Sequence, residues 1–222
     1  MNEDLMKFAN IAYSTRETIQ STYDLSYYCI KNNIEGDFVE CGVAAGAQIG
    51  VMGFVCDETK SDKKVFAFDS FKGIPFCSEN DDQEPGLYVL AEPKPFVEYK
   101  ETLLVPTGAT VHSLANVKIN IYNWQIDYNR FVFIEGWFQH TVKDYVKNIN
   151  KICFLRLDGD LYESTKVCLE NLFPLVSDGG IVFCDDWALK GFRLACDEYF
   201  ESIGYTPKIQ TVENSQTVYF IK

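Results

Sequence analysis

Residues 152–186 read ICFLRLDGDLYESTKVCLENLFPLVSDGGIVFCDD. The run Ile152–Leu157 is continuously apolar except for one arginine, and it ends in Asp158-Gly-Asp160. The run Gly180–Cys184 is apolar as well and ends in Asp185-Asp186. Unbroken apolar runs of this length read as strands buried on both faces of a parallel sheet. Between them, Ser164-Thr165 offers an N-cap for a helix over 164–173, with Val167, Leu169, Leu172 and Phe173 as its apolar positions. The interval from Asp158 to Asp185 is 185 − 158 = 27 residues, close to the roughly 30 of one strand–helix–strand unit. Adjacent parallel strands lie about 4.8 Å apart, so the acids at the two strand ends should meet at one edge of the sheet.

The same rhythm extends towards the N-terminus. Phe38-Val-Glu-Cys-Gly42, Val65-Phe-Ala-Phe-Asp69 and Phe131-Val-Phe-Ile-Glu-Gly136 are further apolar runs, each ending in Gly or an acid. Helix-like patterns lie over 46–56 and 191–203, and residues 1–35 form an N-terminal segment that reads as helical. Alternating strands and helices imply an α/β domain with right-handed crossovers. The C-terminal end departs from this: Lys208–Val212 and Thr217–Ile221, joined by four residues, read as an antiparallel hairpin. Residues 71–110 break the alternation with five of the chain's seven prolines and a cluster of acids, and such a stretch reads either as a lid or binding loop or as a solvated insertion. At 222 residues the chain is expected to be a single domain, 1–222, with this insertion as its main elaboration.

Composition excludes several classes. Apolar residues at 47% and charged residues at 23% belong to a globular chain, not a disordered or fibrous one. A net charge of −12 repels polyphosphates and anionic membrane surfaces, so neither nucleic acid nor a membrane is an expected partner. The eight cysteines include no C-x-x-C pair and several sit inside apolar runs, which suits buried free thiols in a reducing compartment. The N-terminus carries acid where a signal peptide needs base, and no run is long enough to span a bilayer, so a cytoplasmic location is expected.

Three motifs carry chemistry. Glu40-Cys-Gly42-Val-Ala-Ala-Gly46 follows the first strand, where glycines let a ligand approach the backbone and the next helix presents free N–H groups. Asp69 ends the second strand, where an acid can accept hydrogen bonds from both hydroxyls of a ribose. Together they point to a nucleoside-type cofactor. Asp158, Asp160, Asp185 and Asp186 form the third: four carboxylates converging without partners would repel, and a divalent cation such as Mg²⁺ or Mn²⁺ would relieve them. After the third strand, Gly136-Trp137-Phe138 could flank a flat purine or belong to the core, and His140 beside the acids could serve as a base.

Read in order, these segments resemble the macrocin O-methyltransferase family, the TylF-like sugar O-methyltransferases. The likeness rests on Gly36–Gly42, Phe66-Ala-Phe-Asp-Ser-Phe-Lys-Gly-Ile-Pro75, Gly136-Trp-Phe138, Leu155-Arg-Leu-Asp-Gly-Asp-Leu-Tyr-Glu-Ser-Thr165, Gly179-Gly180 and Asp185-Asp186. The resemblance implies a class I methyltransferase fold, Rossmann-like, with a mostly parallel seven-stranded sheet. It implies S-adenosylmethionine and Mg²⁺ as cofactors, a sugar or glycan hydroxyl as acceptor, and a homodimer. By the same resemblance, Glu40, Gly42 and Gly46 would hold the amino-acid end of the cofactor. Asp69 and Ser70 would take the ribose, and Gly136, Trp137 and Phe138 would lie near the adenine. Asp158, Asp185 and Asp186 would ligate the metal, with Asp160 as ligand or general base and the roles of Asp158 and Asp160 exchangeable. The chain departs from its relatives at Ala44-Ala45 in the glycine loop, where an aromatic and a basic residue are common, and at Gln139-His140, where an acidic pair is usual. Three rivals use the same residues differently: a haloacid dehalogenase-type phosphatase, a DxD glycosyltransferase, and a non-catalytic S-adenosylmethionine-binding module. The first two leave Glu40 and Asp69 idle, and the third has no use for the acidic cluster.

Overall fold

The computed structural model describes residues 3–81 and 104–222. The middle of the expected insertion, 82–103, lies outside the described residues. A seven-stranded sheet with the order β3-β2-β1-β4-β5-β7-β6 organises the rest. Its strands are β1 (Asp37–Cys41), β2 (Val65–Asp69), β3 (Phe131–Glu135), β4 (Ile152–Leu157), β5 (Val176–Cys184), β6 (Gln210–Thr211) and β7 (Val218–Ile221). Strands β1–β5 pair in parallel, and β7 runs antiparallel to both β5 and β6. The expected hairpin is therefore present, although its outer strand β6 is only two residues long.

Among the described residues, seven α-helices cover the two faces: α1 (Met6–Ala9), α2 (Arg16–Lys31), α3 (Ala47–Thr59), α4 (Leu114–Asn123), α5 (Phe138–Tyr145), α6 (Tyr162–Leu172) and α7 (Lys190–Ser202). The strands feed both faces because successive side chains alternate. Val39, Phe66, Phe68 and Leu155 pack with α5, α6 and α7 in one core. Phe38, Val65, Ala67 and Phe154 pack with α1–α4 in the other. This double burial is why the strands read as continuous apolar runs. No described helix is long and apolar enough to cross a membrane.

Helix α6 begins at Tyr162, two residues before the expected cap, so Ser164 and Thr165 lie inside it. Its start is set from a distance. Asp81, at the base of the insertion, accepts the Tyr162 N–H at 2.7 Å with Oδ1, and the N–H and hydroxyl of Ser78 at 2.8 and 2.9 Å with Oδ2. An acid from another segment thus takes an orphan N–H of the first turn and favours the helix dipole. The two ends of the insertion are pinched together by a Pro75–Pro106 bridge and by Thr107 N–H donating to Ile74 O at 2.8 Å. The insertion's base is therefore attached directly to the start of α6, two residues after Asp160.

Candidate active site

The backbone ladder continues one residue past each parallel strand. Gly136 N–H donates to Asp69 O at 2.9 Å, Gly42 N–H to Phe68 O at 2.9 Å, Asp158 N–H to Cys41 O at 2.8 Å, and Asp185 N–H to Leu157 O at 3.0 Å. The C-terminal ends of β3, β2, β1, β4 and β5 therefore form one row. Above it opens a cavity of about 660 Å³, within the usual range for small-molecule sites.

Of the residues singled out by sequence, Glu40, Gly42, Asp69, Ser70, Trp137, Phe138, Asp158, Asp160, Asp185 and Asp186 all line this cavity. Gly46, Gly136 and His140 do not. Gly46 begins α3 with φ +89°, and a Cβ there would sit 2.9 Å from Val117 Cγ1, so its role is the turn and its packing. Gly42 has φ +95°, and a Cβ would lie 1.7 Å from Asp158 O. Only glycine lets β1 pass that closely beside the acidic loop. His140, expected beside the acids, is instead exposed on α5; its neighbour Gln139 faces the cavity.

The acidic cluster differs in one respect from the expectation of unpartnered carboxylates. Arg156, in register with Glu40 on β1, is 1% exposed and lies beneath the cluster. Its Nη1 is 2.6 Å from Glu40 Oε1 and 2.6 Å from Asp158 Oδ2, and its Nη2 is 2.8 Å from Asp185 Oδ1. Arg156 has no role in the sequence motifs above. Its signal was available, since an arginine within a doubly buried strand must be paired. One guanidinium faces Glu40, Asp158 and Asp185, so negative charge remains in excess even before Asp160 and Asp186 are counted. Burial pushes the Glu40 carboxyl up to about 8 despite Arg156. Burial and Asp185 likewise push Asp158 up to about 6 against the pull of the same guanidinium. Asp160 and Asp186 are also raised well above the ordinary carboxylate range, by burial first and then by their acidic neighbours.

The geometry suits a cation. One carboxylate oxygen from each of Asp158, Asp185 and Asp186 can lie within 4.8 Å of the others. This is an all-oxygen donor set of the kind Mg²⁺ or Mn²⁺ takes. Asp160 adopts φ +57°, a left-handed conformation that Asp tolerates better than most residues, and donates its N–H to Asp186 Oδ2 at 2.8 Å.

The opposite half of the cavity suits a nucleoside with a polar tail. Glu40 Oε2 is buried and has no hydrogen-bond partner among the described residues. It therefore awaits a donor from a ligand. Asp69 accepts Val43 N–H at 2.6 Å and Ala44 N–H at 3.2 Å with Oδ2, and Phe71 N–H at 2.6 Å with Oδ1. Asp69 thus clamps the glycine loop to the end of β2, a second role beyond the ribose contact expected of it. With about four acceptor sites on a carboxylate, capacity for a hydroxyl remains. Ser14, Gln48 and Thr110 also line the cavity and lay outside every motif singled out in the sequence.

The family model described as Macrocin-O-methyltransferase (TylF) matches residues 10–222. The demethyldecarbamoylnovobiocin O-methyltransferase of Streptomyces niveus is 33% identical over 186 residues, covering 83% of this chain and 65% of that protein. The 8-demethyl-8-(2,3-dimethoxy-alpha-L-rhamnosyl)-tetracenomycin-C 4'-O-methyltransferase of Streptomyces olivaceus is 30% identical over 196 residues, covering 85% and 68%. The chain thus spans about two thirds of the length of these curated relatives. The solved structure of the O-methyltransferase NovP superposes with a TM-score of 0.75 at 29% identity, covering 94% of this chain and 80% of that one.

Proposed function

From the premise that the chain belongs to the macrocin O-methyltransferase (TylF) family, we propose that it methylates a sugar hydroxyl of a glycosylated small molecule, using S-adenosylmethionine and a divalent cation, Mg²⁺ by preference. The observation that carries this reading is the single cavity wall shared by Glu40, Asp69 and the Asp158–Asp185–Asp186 cluster. It supports a nucleoside-type site beside a hard-cation site. The phosphatase and glycosyltransferase readings leave the Glu40–Asp69 half unused. The binding-module reading leaves the cation half unused.

The chain's own residues divide the work. Glu40 Oε2 accepts from the ammonium at the amino-acid end of the cofactor, Asp69 and Ser70 take the ribose, and Trp137 with Phe138 flanks the adenine. Asp158, Asp185 and Asp186 hold the cation, and Arg156 beneath them fixes Asp158 and Asp185 in place. Asp160, next to this set and raised by burial and then by its acidic neighbours, takes the acceptor proton; a carboxyl raised above its ordinary range is a stronger base. When bound, the two groups supply an electrophilic sulfonium methyl and a lowered pKa at the acceptor hydroxyl. Holding both reactants in one cavity removes the entropic cost of their meeting.

The reading also includes a cytoplasmic setting, in which all eight cysteines stay free, and a homodimer, on family resemblance alone. With a net charge of −12, the acceptor is a small glycoside and not a nucleic acid. The test is to incubate the protein with methyl-labelled S-adenosylmethionine, Mg²⁺ and a panel of glycosides carrying free sugar hydroxyls. Label should enter the glycoside, and EDTA should stop it. Transfer that is unchanged by EDTA would remove the cation from the mechanism, and label entering only aglycone hydroxyls would remove the sugar.

A further inference from the structure

Asp185 is held from two sides. Its Oδ1 lies 2.8 Å from Arg156 Nη2 and accepts the hydroxyl of Thr217 at 3.1 Å. Thr217 immediately precedes β7, whose Val218 is in register with Cys184, so the hairpin places its hydroxyl beside the end of β5. Thr217 is 3% exposed. Behind it lies a group of linked hydroxyls: Ser215 Oγ at 2.8 Å from Thr217 Oγ1, Thr18 Oγ1 at 3.0 Å from Ser215 Oγ and 3.3 Å from Thr217 Oγ1, and Thr15 Oγ1, the cap of α2, at 3.0 Å from Thr18 Oγ1.

The carboxylate sets the direction of these hydrogen bonds. An ionised Asp only accepts, so Thr217 must spend its one proton on Asp185. Ser215 then donates to Thr217, and Thr18 can donate to Ser215. Each hydroxyl polarises the next, which strengthens the last bond of the chain. With Oδ1 committed to Arg156 and Thr217, the second oxygen of Asp185 is left for a cation.

From this arrangement we infer that Thr217 is a positioning residue for the cation site, fixing the rotamer of Asp185 through a hydroxyl relay that joins the C-terminal hairpin to the cap of α2. The inference rests on the reading of Asp158, Asp185 and Asp186 as cation ligands. Groups that orient a ligating carboxylate typically change metal affinity by about 10- to 100-fold when removed.

The test is direct titration of Mn²⁺ into the full chain, with free Mn²⁺ followed by electron paramagnetic resonance and no acceptor present. Thr217→Val keeps the shape and removes the hydroxyl; it should weaken Mn²⁺ binding about 10-fold. Thr217→Ser restores the hydroxyl and should bind within about 3-fold of the parent. A Thr217→Val protein that binds like the parent would overturn the inference. So would a Thr217→Ser protein as weak as Thr217→Val, since packing would then be the cause. If Thr217→Val fails to fold, Thr217→Ala carries the test against Thr217→Ser, with an expected weakening of about 10-fold, and parental affinity there overturns the inference. A parent protein that takes up no Mn²⁺ would show that the cation reading has failed, and the Thr217 assignment with it.

Discussion

Arg156→Met should lower the melting temperature by about 6–20 °C. Removing one member of a buried ion pair costs about 3–5 kcal/mol, and each kcal/mol is worth about 2–4 °C in a domain of this size. Methionine fills much of the volume, so the loss comes from charge and not from a cavity. Glu40, Asp158 and Asp185 would be left facing each other around an apolar side chain. The pH dependence has a definite sign. Without cofactor, Glu40 keeps its proton up to about pH 8 in the folded protein, far above its ordinary value. The folded state therefore binds more protons than the unfolded one between about pH 4.5 and 8. The resulting stabilisation is complete at the acidic end and is lost as pH rises through 8. Without the guanidinium this slope should steepen, so lowering the pH from 8 to 6 should recover more stability in Arg156→Met than in the parent. Thermal melts at the two pH values measure both effects. A variant as stable as the parent at pH 8 would mean that Arg156 is not the counter-charge of the cluster.

Asp158→Asn should abolish cation binding and turnover while sparing the cofactor. The amide nearly preserves the shape of the side chain but removes one of the three anionic ligands in the set. Mn²⁺ affinity should fall by at least about 100-fold, beyond the usual effect of a residue that merely orients a ligand. If the cation supplies about 4 kcal/mol to the transition state, methyl transfer falls by about 10³-fold. Binding of S-adenosylhomocysteine should stay close to the parental value, because Glu40 and Asp69 are untouched. Turnover by Asp158→Asn at the parental rate would exclude Asp158 from the cation site. Loss of cofactor binding instead would place Asp158 in the other half of the cavity.

Much of this arrangement was legible in the sequence because parallel strands leave a strong local trace. A strand buried on both faces must be apolar throughout, so β1, β2, β3 and β4 could be read to within a residue. The meeting of Asp158 with Asp185 followed from the length of one strand–helix–strand unit. What stayed hidden was set across long sequence separations. The start of α6 was misplaced because its N–H partner is Asp81, 81 residues earlier, while Ser164 and Thr165 offered a plausible local cap. The relay through Thr18, Ser215 and Thr217 joins segments about 200 residues apart, and no single stretch announces it. Arg156 is the opposite case. Its position inside an apolar run was visible, and the rule that a buried guanidinium needs anionic partners would have led from it to Glu40 and Asp158. His140 drew attention because histidines are scarce in this chain, yet the face of α5 on which it lies turns it away from the cavity.

The central claim is that the cavity over the strand ends is an S-adenosylmethionine site. Thermal melting with S-adenosylhomocysteine, with Mg²⁺ or EDTA present, tests it most directly. At 100 times Kd, binding stabilises the folded protein by about 2.7 kcal/mol, so the account predicts a rise of about 5–11 °C that Glu40→Ala removes. An unchanged melting temperature at millimolar S-adenosylhomocysteine, in both Mg²⁺ and EDTA, would contradict it.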